Sequence, residues 1–361
     1  MADPAARAGA VLHIDLGALV ANWRLLAARA APAECAAVVK ANAYGLGAAP
    51  VAAALAAAGC RTFFVATLDE GIALRAALGG APEIAVFNGP LPGTEGDFAA
   101  FGLVPVLNEP GQIAAWRRVG GGSPAMLHID TGMARLGVTS RELARLFEAP
   151  QMLQAIEWHA LISHLACADT PDHPLNAAQL ARFDTARARL PRVRASLAAS
   201  SGIFLGPEFH HDLVRPGAAL YGVNPRPGSP NPTRQVVTLK AKIIQLREID
   251  SGESVGYGAA HVMTGPGRLA TVAAGYADGW LRALSHRGSG RIAGQRVPVL
   301  GRISMDLVTF DVSAIDPALV RPGASIELLG GDYGVDDAAA DSGTIGYEIL
   351  TALGARHHRV Y

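Results

Sequence analysis

Three cysteines in 361 residues, Cys35, Cys60 and Cys167, are too few and too widely spaced for a disulfide framework or a zinc site, so no bound metal is expected. Their scarcity points to a reducing compartment. An excess of one charge is also missing. The 31 Lys and Arg balance 31 Asp and Glu, which gives zero net charge. Without a basic stripe or tail, neither nucleic acid nor an anionic membrane surface is an expected partner. No apolar run approaches ~18 residues without a charge or a break, so no transmembrane span is expected. Met1-Ala2-Asp3-Pro4 lacks the basic-then-apolar form of a signal peptide. Together these absences lead to the expectation of a cytoplasmic protein.

What the chain has in quantity is apolar side chains, 50% of residues against 17% charged, in a length that suits one large domain and a smaller one. From residue 35 to 222, short apolar runs alternate with helical stretches. The expected strands are Ala36–Lys40, Thr62–Thr67, Glu83–Asn88, Leu103–Leu107, Ala125–Asp130, Glu157–His164, Val193–Ser200 and Asp212–Tyr221. Between them Ala48–Ala58, Glu70–Leu78, Gly93–Phe101, Pro110–Val119, Arg141–Glu148, Asn176–Leu190 and Ser201–Leu205 read as helical. Asn176–Leu190 places Leu180, Phe183 and Leu190 on one face. Eight strands with helical crossovers is the count of a (β/α)8 TIM barrel. A doubly wound sheet predicts fewer strands and a full glycine fingerprint, and Gly45-Leu46-Gly47 lacks the third glycine.

The Pro- and Gly-dense segment 224–232 reads as a linker, because it can sustain neither a helix nor an interior strand. Beyond it, Val236–Leu246, Leu269–Ala274, Arg296–Leu300, Leu307–Val312 and Ser325–Leu329 are β-rich. A last helix, Thr344–Leu353, begins at a plausible Thr N-cap with Glu348 nearby. The expected division is a barrel over 1–232, with its first ten or so residues able to pack with the other domain, and a mostly-β domain over 233–361.

The most informative segment is Val38-Val39-Lys40-Ala41-Asn42-Ala43-Tyr44-Gly45. It delivers a lysine to the C-terminal end of a buried strand. Desolvation there lowers the amine's pKa and makes it a nucleophile able to form a Schiff base. A lone strand-end lysine is more often merely solvated, so its company decides. In a barrel the chemistry sits at the C-terminal ends of the strands. Those ends also carry Tyr44, His128, Asp130, Arg135, His164, Asp169, Ser200 and Arg215-Pro216-Gly217. Singly, His164 reads as a satisfied core histidine, Asp130 as a helix cap and Arg215 as a surface charge. Gathered on one face, they suit a phosphorylated cofactor. The hydroxyls of Tyr44 and Ser200 and the backbone N–H groups near Gly217 can hold a phosphate, and glycine lets the backbone approach it. Lys40 would hold an aldehyde. That combination describes pyridoxal 5'-phosphate, whose ring stabilises an α-carbanion.

Over nearly its full length the chain resembles the alanine racemases, the fold-type III pyridoxal-phosphate enzymes. Val39-Lys40-Ala41-Asn42-Ala43-Tyr44-Gly45 is similar to their cofactor-attachment motif, and Asp130-Thr131-Gly132-Met133-Ala134-Arg135-Leu136-Gly137 to their second signature. Arg215-Pro216-Gly217 with Leu220-Tyr221-Gly222 resembles the end of their barrel. Val255-Gly256-Tyr257-Gly258, Gly275-Tyr276-Ala277-Asp278-Gly279, Gly301-Arg302-Ile303-Ser304-Met305-Asp306 and Ile345-Gly346-Tyr347-Glu348 match in the β domain.

The resemblance implies interconversion of L- and D-alanine, with D-alanine supplied for peptidoglycan, by a homodimer in which each β domain completes the partner's site. It implies Lys40 and Tyr257 as bases on opposite faces of the α-carbon, Lys40 for the D-enantiomer and Tyr257 for the L-enantiomer. A tyrosine phenol, with an ordinary pKa of about 10, needs help in that role, and the resemblance assigns it to a network containing His164. Arg215 would face the cofactor's ring nitrogen. Tyr44, Ser200 and Tyr347, with the backbone at Gly217 and Ala218, would hold the phosphate. Arg135 and the Met305 backbone would take the substrate carboxylate. Asp169, Tyr276, Arg302 and Asp306 would line the approach channel and inner gate.

The chain departs from the family pattern at His128, where many members carry a lysine that is often carbamylated. Histidine forms no such stable anion. Either a bound anion such as chloride holds Arg135, or His128 and water position it, and activity without bicarbonate is expected. Leu46 and Ser304 replace a common histidine and cysteine. The alternatives are a serine or broad-specificity racemase, a fold-type III decarboxylase or aldolase, and a cofactor carrier. The Tyr257 context and barrel arginine oppose the second, and residues 236–361 oppose the third.

Overall fold

A computed structural model describes residues 3–119, 123–154, 156–190 and 193–361. The chain divides into two compact units. One holds residues 19–220 and 224–234; the other holds the residues up to Ala18, Tyr221–Val223 and Gln235–Tyr361.

The first unit is a parallel barrel. Strands Ala37–Val38, Thr62–Val65, Glu83–Val86, Val104–Leu107, Pro124–His128, Glu157–Ile162 and Arg194–Ser196 pair in sequence order, with registers such as Val38↔Phe64, Val65↔Val86 and Ile162↔Ser196. Closure runs through Leu213–Val214, which pairs in parallel with Glu34–Cys35. A bridge from Ala199 to Arg215 and a bond from the Val38 N–H to the Pro216 carbonyl complete the ring. Thr62–Val65 and Val104–Leu107 are buried at every position, as strands covered on both faces must be. The crossovers include helices Ala48–Ala57, Leu68–Leu78, Glu95–Ala100, Pro110–Val119, Ser140–Glu148 and Pro174–Arg187. Two of them start in reciprocal capping boxes, Thr67 with Glu70 and Thr139 with Glu142.

The ends of several elements differ from the sequence expectation. The first strand stops at Val38, and Lys40 opens a turn instead of closing the strand. The eighth is only Leu213–Val214, because Pro216 has no N–H for a ladder, and Ala218–Tyr221 is a short helical turn. Residues up to 34, which carried no expected element, hold strand Ala10–Ile14 and helix Leu16–Ala30.

In the second unit the long strand Val237–Ile249 organises the sheet. It pairs antiparallel with Ala10–Ile14, Ser325–Leu329 and, past a register shift after Ile243, Gly267–Val272. Val308–Asp311 extends that side, and His358–Val360 runs parallel to Ala10–Ile14. Ser289–Ile292 and Gln295–Pro298 form a hairpin. The final helix is Gly346–Ala352 with Ile345 as N-cap; the Thr344 hydroxyl bonds the Glu348 carboxylate, so it does not cap the helix. Among the described residues no helix is long and apolar enough to cross a membrane.

Candidate active site

Lys40, His128, Arg135, His164, Ser200, Arg215 and Gly217 all lie at or beyond the C-terminal ends of barrel strands, so the fold gathers them at one mouth. Ala41, Asn42, Ala43 and Tyr44, none of them glycine, have φ between 52° and 55°. Left-handed backbone costs roughly 1–2 kcal/mol per residue, so this turn after Lys40 needs compensation. Several bonds supply it. The Ala43 N–H reaches the Val39 carbonyl, Gly45 N–H the Ala41 carbonyl, and Ala48 N–H the Asn42 side chain. The Glu70 carboxylate accepts from the Ala41 N–H at 2.7 Å.

Lys40 is partly buried, with its ammonium 5.8 Å from the Phe87 ring centre, and makes no hydrogen bond or ion pair among the described residues. Burial lowers its pKa, the Arg135 cation lowers it further, and Glu70 opposes both.

Arg215 is 2% exposed and has no carboxylate partner among the described residues. Its guanidinium donates to the Ser196 hydroxyl and to the Ser163 carbonyl, and lies 5.9 Å from the Phe64 ring centre. Burial pulls its pKa to about 10, so it remains a cation near neutrality. Ser163 is fixed in turn: its hydroxyl donates to the Ile129 carbonyl and accepts from Thr131 at 2.8 Å. The fully buried Gln179 donates to the Thr131 hydroxyl and the His164 carbonyl, and accepts from the Ala166 N–H.

The Ser200 hydroxyl oxygen accepts from the Gly217 and Ala219 N–H groups at 3.0 and 3.1 Å, which leaves its proton to donate. A Cβ on Gly217 would collide with the Tyr44 Oη and lie 3.1 Å from Cζ, so glycine is required for Tyr44 to reach this spot.

Two histidines face the same mouth without charge. Burial, then Arg215 and Arg135, push the His128 pKa down to about 4. Burial and the same arginines, with His128 and Lys40, push His164 down to about 3. Asp130 folds its own loop: its carboxylate accepts from the N–H groups of Gly132, Met133 and Ala134. Burial works to raise its pKa, and those three bonds outweigh it and hold the pKa low. Arg135 stands exposed, unbonded among the described residues, and Asp169 is exposed on the loop after His164. The mouth therefore carries cations and neutral acceptors, and the carboxylates of Glu70 and Asp130 are occupied by backbone N–H groups.

The second unit has its own cluster. Tyr257 is 72% exposed on a turn between Gly256 and Gly258, both at positive φ. A Cβ on Gly258 would come within 3.0 Å of the Arg302 Nη1, so that guanidinium lies against the Tyr257 turn. The Tyr276 and Ala277 N–H groups donate to the Ser304 and Met305 carbonyls, joining those loops. Asp306 forms an ion pair with Arg356 at 2.8 Å, and Arg356 grips the buried Asp278 with two bonds. Tyr347 is exposed in the first turn of Gly346–Ala352.

The alanine racemase N-terminal domain family matches residues 14–225, and the C-terminal domain family matches 236–361. The chain belongs to the alanine racemase family. It is 53% identical over 360 residues to the alanine racemase of Rhodospirillum rubrum, covering 98% of this chain and 96% of that one. It is 52% identical to a catabolic alanine racemase of Mesorhizobium japonicum, covering 99% and 94%. The crystal structure of the Bartonella henselae alanine racemase, with covalently bound pyridoxal phosphate, superposes at a TM-score of 0.94 with 43% identity, covering 98% and 99% of the two chains.

Site reasoning from the alanine racemase motifs missed Asn108, Ser163, Gln179, Ser196 and Glu70. Asn108 directly follows Val104–Leu107 and could have been found by applying the strand-end rule to every strand. Gln179 sits amid a helix and gives no local signal.

Proposed function

We propose that Lys40 and Tyr257 are the two bases with which this member of the family interconverts L- and D-alanine. One observation carries the reading: a buried arginine without a carboxylate partner among the described residues and a lysine of lowered pKa share the mouth of one barrel. The residues fit pyridoxal phosphate. Arg215 offers a donor and no proton acceptor, suiting a neutral ring nitrogen. Ser200, Tyr44 and the side-chain-free Gly217 form a cradle for phosphate; by family resemblance Ala218 and Tyr347 are proposed as further phosphate ligands. When bound, the cofactor supplies an electron sink for charge on the substrate's α-carbon.

Everything else falls to the chain. Arg135 takes the substrate carboxylate, with the Met305 backbone. The lowered pKa of Lys40 raises the share of its amine that is uncharged and able to accept a proton. His164, held neutral, serves as a hydrogen-bonding partner and carries no charge. Tyr257 works from the opposite face, which inversion through a planar centre requires. Asp169, Tyr276, Arg302 and Asp306 shape the approach. The exposure of Tyr257 and Met305, 72% and 54%, supports a homodimer in which each β domain serves the partner's site. Free thiols at Cys35, Cys60 and Cys167 support a cytoplasmic location.

The test is incubation of the cofactor-loaded protein with L-alanine in D2O. D-alanine carrying α-deuterium supports the two-base reading. Deuterium without D-alanine removes Tyr257 from it, and no exchange removes both bases. We place the reaction in D-alanine supply for peptidoglycan. The catabolic alanine racemase of Mesorhizobium japonicum, 52% identical to this chain, favours a second use, consumption of alanine. Loss of the gene creating a D-alanine requirement supports the first; loss only of growth on alanine supports the second.

A further inference from the structure

Glu70 lies outside every motif, yet it is the one carboxylate that raises the pKa of Lys40. It sits in the first turn of Leu68–Leu78, where its Oε2 accepts from the Ala66 and Thr67 N–H groups in a capping box. That use is ordinary for a helix start. The other oxygen does something else. Oε1 leaves the helix and accepts from the N–H of Ala41, the residue after Lys40 and the first of four left-handed positions. One side chain thus pins the strained turn to a helix and brings a negative charge to the Lys40 amine. The charged and titratable groups acting on Lys40 from the packed elements are Arg135, Glu70 and His164. Arg135 is a cation and His164 is held neutral, so Glu70 is the only anion of the three.

The geometry points to Glu70 as a positioning residue that fixes the Lys40 turn through the Ala41 N–H and, as an anion beside that turn, favours a protonated Lys40 nitrogen. This rests on the reading of Lys40 as the cofactor-bearing lysine.

The experiment is a pH titration of the visible absorbance band of the resting cofactor-loaded protein, free of substrate. Loss of the band in Lys40→Ala tests the underlying reading separately. In Glu70→Gln the midpoint moves to lower pH by about half a unit, as loss of one partly exposed anion acting on the amine from beyond ion-pair distance implies. Glu70→Asp keeps an acid at the helix start and withdraws it from Ala41, and gives a smaller shift of the same sign. Thr67→Ala breaks the capping box without touching the Ala41 bond; it lowers the melting temperature and leaves the midpoint in place. A midpoint unmoved in both Glu70 variants, or moved equally by Thr67→Ala, makes Glu70 a helix cap only and overturns the proposal.

Discussion

Nδ1 of His128 lies 2.7 Å from Oδ1 of Asn108, and the rest of Asn108 decides which atom donates. The Asn108 amide nitrogen gives its protons to the Phe87 and Val106 carbonyls. Its oxygen can then only accept, so His128 carries its proton on Nδ1 and keeps the Nε2 lone pair as an acceptor. This neutral acceptor stands where many family members place a carbamylated lysine. Activity should therefore be the same in carbon-dioxide-stripped buffer and with added bicarbonate. A rate that rises with bicarbonate would contradict this role for His128.

The neutrality of His128 and His164 ties stability to pH. In the unfolded chain both take up a proton near the ordinary value of 6.5; in the folded chain they resist until about 4 and about 3. The unfolded state binds more protons in that window, so stability is full above pH 6.5 and declines as pH falls towards 4. Melting temperatures of the cofactor-loaded protein should drop over that range, and less steeply in His128→Gln. An equal slope in the variant would show that His128 is not the group titrating.

Gly217→Ala places a methyl group against the Tyr44 hydroxyl. Overpacking costs about 1–3 kcal/mol, which predicts cofactor affinity weaker by about tenfold to a hundredfold in a fluorescence titration. Adding Tyr44→Phe removes the colliding oxygen. Thermal stability should return while affinity does not, because the hydroxyl proposed to hold phosphate is gone.

If Arg215 faces the cofactor's ring nitrogen, as proposed, it governs which reaction the site performs. A guanidinium with a pKa near 10 donates to a ring nitrogen and does not exchange a proton with it. Arg215→Glu supplies an exchangeable proton, and should raise transamination relative to racemisation. The ratio of pyruvate to D-alanine formed per unit time reads this out independently of how much protein stays folded. The same substitution buries a carboxylate against the Ser163 carbonyl, so a lower melting temperature is expected with it.

The barrel strands were legible where they read as short apolar runs, as in Thr62–Val65 and Val104–Leu107, which are buried at every position. The strand-end rule then exposed Lys40, His164 and Arg215. What stayed hidden was long-range or locally disfavoured. Ala10–Ile14 is a strand because Val237–Ile249 and His358–Val360 pair with it from the far side of the chain. Residues 41–44 contain no glycine, so nothing in their composition announces four left-handed positions. Gln179 reads as a polar surface position of its helix and is instead fully buried, binding three loop positions.

The exposure of Tyr257 gives the sharpest test of whether the proposed homodimer shares its sites. Lys40→Ala and Tyr257→Phe each remove one base and should be nearly inactive alone. Mixing the two proteins under conditions that exchange subunits gives half mixed dimers. If Tyr257 serves the partner's barrel, each mixed dimer has one site with both bases and one with neither. Activity should then recover to about a quarter of the parent's, as random pairing across a two-fold interface requires. If Tyr257 serves its own barrel, every site in the mixture lacks one base and nothing is recovered. Recovery that depends on subunit exchange, and vanishes when the parent dimers are cross-linked before mixing, would establish the shared site.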